Sequence, residues 1–193
     1  MKRMIVVPVK GGPDQKSRLA GRLTPASRSS LCSQLAARAI KRAAAVVGVE
    51  NVHVLSPAQE LAGDAVWRKD LGRGLNNELS AFRRDNPGAL FVVVNADLAF
   101  LEAEDISLLV FAGEAGRLAI APDRRQTGTN AIAAPPGASF AFNFGDGSFI
   151  RHLEQARPRE AVIFRRGLAF DIDTPPDLDA ALAEGFCMET GPA

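Results

Sequence analysis

Two acidic positions and one basic loop carry most of the chemistry visible in this chain. The loop lies within Val6-Val7-Pro8-Val9-Lys10-Gly11-Gly12-Pro13-Asp14-Gln15-Lys16-Ser17-Arg18-Leu19. It follows an apolar run over residues 4–9 and leads into helical sequence. Glycines let a backbone approach phosphate oxygens, and Lys10, Lys16 and Arg18 would neutralise them. Apolar strand, basic glycine loop and helix together suit a nucleoside triphosphate. By its residues alone the loop reads equally as a solvated turn. It lacks the pattern G-x-x-x-x-G-K-[ST], which excludes a P-loop ATPase.

The acids are Asp97 and the pair in Asp171-Ile172-Asp173. Asp97 follows Leu90-Phe91-Val92-Val93-Val94, so a rigid element would place its carboxylate at the sheet's edge. The other pair is expected to end a strand, with both acids on one face and Ile172 on the opposite one. A hard cation with several waters suits one or two such carboxylates plus substrate phosphates. Asp97, Asp171 and Asp173 are therefore candidate Mg²⁺ ligands. The plainer reading makes each acid a helix cap, but Thr174 already stands where the last helix needs one.

Three further segments could bind anions or bases. In Phe144-Gly145-Asp146-Gly147-Ser148-Phe149-Ile150-Arg151-His152, glycines and a hydroxyl precede a helix start, where backbone N–H groups favour an anion. Arg151 and His152, one turn in, would add charge. The alternative is an ordinary glycine turn with Ser148 as N-cap. Thr127-Gly128-Thr129-Asn130 binds a phosphate or simply turns the chain, and Gly74-Leu75-Asn76 reads a base or ribose edge or starts a helix. His53, on an apolar strand, is expected to be structural, and Trp67 to pack. Two histidines and two distant cysteines make no zinc pattern, and no G-x-S-x-G elbow exists.

Alternating strands and helices must position these groups. Thr24-Pro25 caps a long helix with apolar residues at 31, 35, 39, 40, 43 and 47, closed by Gly48. Strands are expected at 52–55, 65–67, 90–94, 118–121, 162–164 and 168–170, and helices at 76–84, 105–111, 149–156 and after Thr174-Pro175-Pro176-Asp177. Residues 131–147, rich in small residues, Pro and Phe, follow no clear period. The pattern predicts a three-layer α/β domain with a mainly parallel sheet, which binds ligands at the carboxyl ends of its strands. Lys10, Ser56, Asp97, Asp123, Asp171 and Asp173 lie at such ends.

The 193 residues suit one domain over 1–193, with a loose tail over 185–193. Lys+Arg 23 against Asp+Glu 22 leaves a net charge of +1, which argues against a general nucleic-acid binder. Cys32 falls on an apolar helical stripe and is expected to be a buried free thiol. No stretch is long enough to span a bilayer and the apolar run at the start is too short for a signal peptide, so a cytoplasmic protein is expected.

Taken in order, Val7-Pro8-Val9-Lys10, Lys16-Ser17-Arg18-Leu19, Gly74-Leu75-Asn76, Ala96-Asp97-Leu98, Gly128-Thr129-Asn130, Phe144-Gly145, Ser148-Phe149, Arg151-His152 and Asp171-Ile172-Asp173-Thr174-Pro175 resemble a known family. It is the 2-phospho-L-lactate guanylyltransferase family of coenzyme F-420 biosynthesis, within the molybdenum-cofactor-guanylyltransferase-like nucleotidyltransferases. The resemblance implies a Rossmann-like nucleotidyltransferase fold of the nucleotide-diphospho-sugar-transferase type, with a mixed sheet. It implies GTP, Mg²⁺ and a small phosphorylated three-carbon acid: 2-phospho-L-lactate, phosphoenolpyruvate or 3-phosphoglycerate. The product would pass to a downstream transferase, and a homodimer is common in the family.

By the same resemblance Lys16, Asp97 and Asp173 would be catalytic, with Asp173 favoured over Asp171 as the metal ligand. Val9, Lys10, Lys16, Arg18, Ser56, Gly74 and Asn76 would hold the nucleotide. Thr129, Asn130, Gly145, Ser148, Arg151 and His152 would hold the acid. The chain departs from the family at Asp97-Leu98-Ala99-Phe100-Leu101, where Asp-Leu-Pro-Leu-Leu is usual, at Asn95, and at Gln126-Thr127. Two rival expectations are a molybdopterin-type nucleotidyltransferase, whose Leu-Ala-Gly-Gly-x-Ser-x-Arg-type loop is lacking here, and a catalytically silent GTP-binding module.

Overall fold

The all-apolar run forms the middle strand of the sheet, β4 (Ala89–Val94), buried at every position. Such a strand needs cover on both faces. It pairs in parallel with β1 (Lys2–Pro8) and antiparallel with β6 (Thr129–Ala134). Beyond β1 lie β2 (Val52–Ser56) and β3 (Val66–Lys69), both parallel. Beyond β6 lie β5 (Leu118–Pro122), antiparallel to it, and β7 (Glu160–Val162), parallel to β5. The order β3-β2-β1-β4-β6-β5-β7 gives one mixed, mainly parallel sheet. The computed structural model describes residues 1–12 and 15–188, so Pro13, Asp14 and the end of the expected loose tail lie outside the described residues.

Strand alternation sorts the core into two faces. Ile5, Val7, Val54, Val92 and Val94 pack with Ala36, Ala39 and Ala43 of α1 (Pro25–Val47) and with Ile106 and Leu109 of α3 (Ala103–Glu114). Met4, Val6, Phe91 and Val93 pack with Leu79 and Phe82 of α2 (Leu75–Arg84) and with Phe142. Phe149 of α4 (Ser148–Ala156) covers Leu118, Ile120 and Ala134. A fully buried aliphatic side chain contributes about 1.5–3 kcal/mol, so these faces, more than helix propensity, hold the layers. Thr24 caps α1 as expected, its Oγ1 accepting from Ser27 N–H at 3.1 Å. Among the described residues no helix is long and apolar enough to cross a membrane.

Several local expectations are corrected. The expected strand at 168–170 is instead a helical turn, α5 (Arg166–Ala169). A short apolar run does not distinguish strand from buried helix, and tertiary contacts decided. Gly167 lies tight against Asp105 and the Phe100 carbonyl, with no room for a Cβ. Asp171 therefore does not end a strand; it makes an isolated antiparallel bridge with Leu98. The strand expected at 162–164 lies two residues earlier, as β7. The stretch without a clear period begins with β6 and continues into a loop whose Phe140, Phe142 and Phe144 form a chain of ring contacts.

The expected loose tail docks at its start: Phe186 is buried against Phe100, and Gln34 Nε2 donates to the Cys187 carbonyl at 2.7 Å. Cys32 is half-buried rather than buried, and both thiols are free. His53 is buried edge-on to Phe82 with neither ring nitrogen hydrogen-bonded, as a packing residue would be.

Candidate active site

The site forms where a separate apolar cluster gathers Leu19, Leu31, Ala99, Phe170, Ile172 and Leu178. Leu19 closes the basic loop, Ala99 follows β4, and Ile172 precedes α6 (Pro175–Ala183). Backbone bonds align the last two segments: Ala99 N–H donates to the Phe170 carbonyl at 2.9 Å, and Ile172 N–H donates to that of Asp97 at 3.1 Å. The acid-bearing segments are thus held by groups other than the acids. Lys16 starts the turn over Ser17–Leu19 with φ +50°, a left-handed conformation that costs a non-glycine residue energy.

That turn aims the Lys16 ammonium between two carboxylates. Nζ donates to Asp97 Oδ2 and to Asp173 Oδ1, each at 2.7 Å, so the two oxygens lie no farther apart than twice that distance. The Lys16 side chain is 11% exposed, that of Asp97 27% and that of Asp173 47%. Burial works against the ammonium charge, yet the two carboxylates outweigh it and hold Lys16 above its ordinary pKa. Asp97 Oδ1 is buried without a partner. A convergent pair of carboxylates with an unused buried oxygen fits a hard divalent cation that takes few protein ligands and keeps phosphates or waters. Asp171 turns elsewhere and accepts from Asn130 Nδ2 at 3.2 Å. Burial, with the charges of Asp97 and Asp173, pushes its carboxyl up to about 6. Among the described residues no three His, Cys, Asp or Glu side chains gather as a metal cage.

The start of β6 and the start of α4 meet beside this centre. Asn95, just after β4, donates its backbone N–H to the Asn130 carbonyl at 2.9 Å. Thr129 N–H donates to Ser148 Oγ at 2.9 Å. Thr129 Oγ1 lies 2.9 Å from His152 Nδ1, and His152 Nε2 accepts from Asn143 N–H at 2.9 Å. Thr129, Ser148 and His152 are all buried. Two expectations change here. Ser148 is the first helical residue, and Gly147, with φ +67°, is the N-cap. His152 adds no charge, because burial and then Arg151 pull its pKa down to about 4. Arg151 is exposed and donates to the Asn143 carbonyl at 3.1 Å, and Gly145 is exposed with φ +119°.

On the other side of the basic loop lies a cavity of about 460 Å³, bordered by Gly11, Gly12, Gln15, Arg28, Pro57 and Glu60 among others. Gly11 is needed there, since a Cβ would lie 2.7 Å from Pro57 Cγ. The other expected nucleotide residues are scattered. Val9 is buried and donates its N–H to the Leu55 carbonyl, and Lys10 and Arg18 are exposed. Ser56 is buried, with its hydroxyl donating to the Ala58 carbonyl at 2.8 Å. Gly74 is exposed at the start of α2, and both ends of the Asn76 amide bind the Phe144 backbone. Ser56, Gly74 and Asn76 do not line the cavity.

Two contributors escaped the sequence reading. Arg124 stacks on Phe170 at 3.8 Å and donates to Asp177, pinning α6 behind Asp173. Asn143 supplies the N–H that His152 accepts. Neither lies in a motif, and their roles are contacts between distant segments.

Known proteins resemble this chain over most of its length. Residues 3–189 match the family model described as "Guanylyl transferase CofC like". The chain is 39% identical to a phosphoenolpyruvate guanylyltransferase of Sphaerobacter thermophilus, over 93% of this chain and 92% of that one. It is 31% identical to a 3-phospho-D-glycerate guanylyltransferase of Phenylobacterium zucineum, over 94% and 90%. Among solved structures it resembles a protein assigned to the nucleotide-diphospho-sugar transferases from Desulfovibrio desulfuricans G20, with TM-score 0.73, 16% identity and coverage of 93% and 86%. A nucleotidyl transferase from Methanothermobacter gives TM-score 0.63, 14% identity and coverage of 95% and 99%. The sheet order and these matches lead to one conclusion: the chain belongs to the CofC-like guanylyl transferase family, on a fold of the nucleotide-diphospho-sugar-transferase type.

Proposed function

We propose that this chain transfers the guanylyl group of GTP to a small phosphorylated three-carbon acid and releases pyrophosphate, as a step in building coenzyme F-420. The observation that carries the reading is the convergence of Lys16, Asp97 and Asp173 on one point. A phosphate oxygen of the acid attacks the α-phosphorus in line. The α–β bridging bond breaks, and its electron pair leaves with pyrophosphate. The nucleophile is already an anion, so no general base is required, and the protein's part is positioning and charge neutralisation.

The cavity bordered by Gly11 and Gly12 would receive the nucleoside, and Lys16, held between Asp97 and Asp173, would neutralise the leaving phosphates. Thr129 and Ser148 bind the acid's phosphate. Asp97 and Asp173 would hold Mg²⁺, which offsets the repulsion between two anionic reactants when bound. The diester product is then handed to a transferase. Phosphoenolpyruvate and 3-phospho-D-glycerate, named in the relatives, are the acids to test first.

Pyrophosphate release is measured with GTP, Mg²⁺ and each of these acids or 2-phospho-L-lactate, with ATP and CTP as controls. Release that needs GTP and one acid supports the reading. GTP binding without release from any acid overturns it in favour of a silent binding module.

A further inference from the structure

The Thr129–His152–Asn143 contacts determine the role of the buried Thr129 hydroxyl, and the Thr129 backbone N–H that of Ser148. Asn143 N–H donates to His152 Nε2 at 2.9 Å, so Nε2 must be bare. A proton there would set two donors against each other and leave the part-buried Asn143 N–H without this acceptor. In the neutral ring the proton is therefore on Nδ1, which donates to Thr129 Oγ1 at 2.9 Å. The low pKa of this ring, set by burial and Arg151, keeps it in that form at neutral pH. Thr129 Oγ1 is thus occupied as an acceptor, and its O–H must be given to something else. Ser148 Oγ is occupied in the same sense, accepting Thr129 N–H at 2.9 Å. Thr129 is 4% exposed and Ser148 1%, and neither hydroxyl has an acceptor among the described residues.

Two buried O–H donors without acceptors are costly unless a ligand supplies one. We propose that His152 is a positioning residue: it holds Thr129 as an acceptor, so that the Thr129 and Ser148 hydroxyls both donate to an acceptor-only oxyanion. The identity of that oxyanion as the acid substrate's phosphate rests on the function proposed above. A fully ionised phosphate group, which only accepts, matches such a pair. A group that must itself donate at this point would meet two donors and be rejected. His152 therefore shapes acid selectivity without touching the substrate.

The first test needs no variant. In the full-length protein labelled with ¹⁵N-histidine, the His152 ring should show the Nδ1–H tautomer at neutral pH; an Nε2–H tautomer overturns the proposal. The second measures the Kd of phosphoenolpyruvate, and of inorganic phosphate, alone and with a non-hydrolysable GTP analogue. His152→Leu should weaken both by about tenfold or more, the loss expected for one misdirected hydrogen bond. His152→Asn, which keeps a donor near the Nδ1 position, should restore most of the affinity. In a Thr129→Val background, His152→Leu should add less than about twofold, because the effect passes through the Thr129 hydroxyl. Equal losses in the Leu and Asn variants, additive losses in the double variant, or no binding of either anion by the parent protein would each sink the proposal. The tautomer and anion affinities do not depend on turnover, so failure of the guanylyltransferase reading would appear separately, as absent pyrophosphate release.

Discussion

The backbone N–H of Ile172 donates to the carbonyl of Asp97 at 3.1 Å. This bond makes the two acid-bearing segments neighbours whatever their side chains carry. Asp97 and Asp173 can then face one cation, whether the Lys16 ammonium or a divalent ion.

Asp97→Asn and Asp173→Asn should each lower turnover by about 10²–10³-fold, the scale seen when one preorganised electrostatic partner is lost. Since neither side chain is fully buried and the segments are held by backbone bonds, the melting temperature should move by only a few degrees. Pyrophosphate release and a thermal melt on the same preparations check this. Near-normal turnover in either variant would remove that acid from the site.

Lys16→Met should also cost about 10²-fold or more in turnover, and Lys16→Arg should not recover it. The ammonium sits at 2.7 Å from both carboxylates with 11% of the side chain exposed, a space that suits a compact point charge better than a planar fork. Steady-state rates of the three proteins decide the matter. Full activity in the Arg variant would show that only charge is needed.

Ser148→Ala should raise the KM of the acid by about tenfold while that of GTP stays within about threefold. It also leaves the buried Thr129 N–H without an acceptor, at a cost of about 1–3 kcal/mol in stability. Steady-state kinetics with each substrate varied in turn separate the two effects. An equal change in both KM values would contradict a role on the acid side.

The two histidines should make stability fall as pH drops through the window from 6.5 to about 4, partly offset below about 6 by Asp171, whose raised pKa lets the folded protein take a proton that the unfolded chain does not. His53 is held down to about 4 by burial and then by Arg68 and Lys2, and His152 to about 4 by burial and then Arg151. Between the two values the unfolded chain binds protons that the folded protein refuses. These neutral rings therefore contribute fully above 6.5, and their contribution is lost on acidification, on the order of 2 kcal/mol each. From about 4.5 down to about 2 Glu78 adds to the loss, because its bond to Arg73 holds it at about 2. Urea unfolding at neutral pH and about pH 4.5 measures the slope, which His53→Leu should reduce. A flat profile contradicts the prediction.

Gly167→Ala should destabilise the fold by about 2–4 kcal/mol. A methyl group there would collide with Asp105, whose carboxylate accepts from Glu102 N–H at the start of α3 and from Arg165 at 2.9 Å. The urea midpoint reports the loss, and an unchanged midpoint would mean that α5 can shift.

Much of the architecture is legible in the chain because local rules govern it. The unbroken apolar run at 90–94 could only be a strand covered twice, and Thr24-Pro25 and Gly48 bracket α1 through capping chemistry. Elsewhere local signals are ambiguous and distant contacts decide. Leu168-Ala169-Phe170 has the composition of a strand, but the close contact at Gly167 and the bridge from Asp171 to Leu98 left space only for a helical turn. Ser56 and Asn76 stood at plausible positions, yet the fold uses their polar groups to bind Ala58 and Phe144.

Sequence by itself determined the layers, the sheet's mainly parallel character and the residue types able to meet a triphosphate and a cation. These follow from periodicity, capping and charge, which act over a few residues. Only the tertiary structure decided that Lys16, rather than Lys10 or Arg18, enters between Asp97 and Asp173, and that Asp171 turns toward Asn130. The physical reason is that those choices depend on how Leu19, Ala99 and Ile172 share one apolar cluster, a packing among segments remote in the chain that no local spacing encodes.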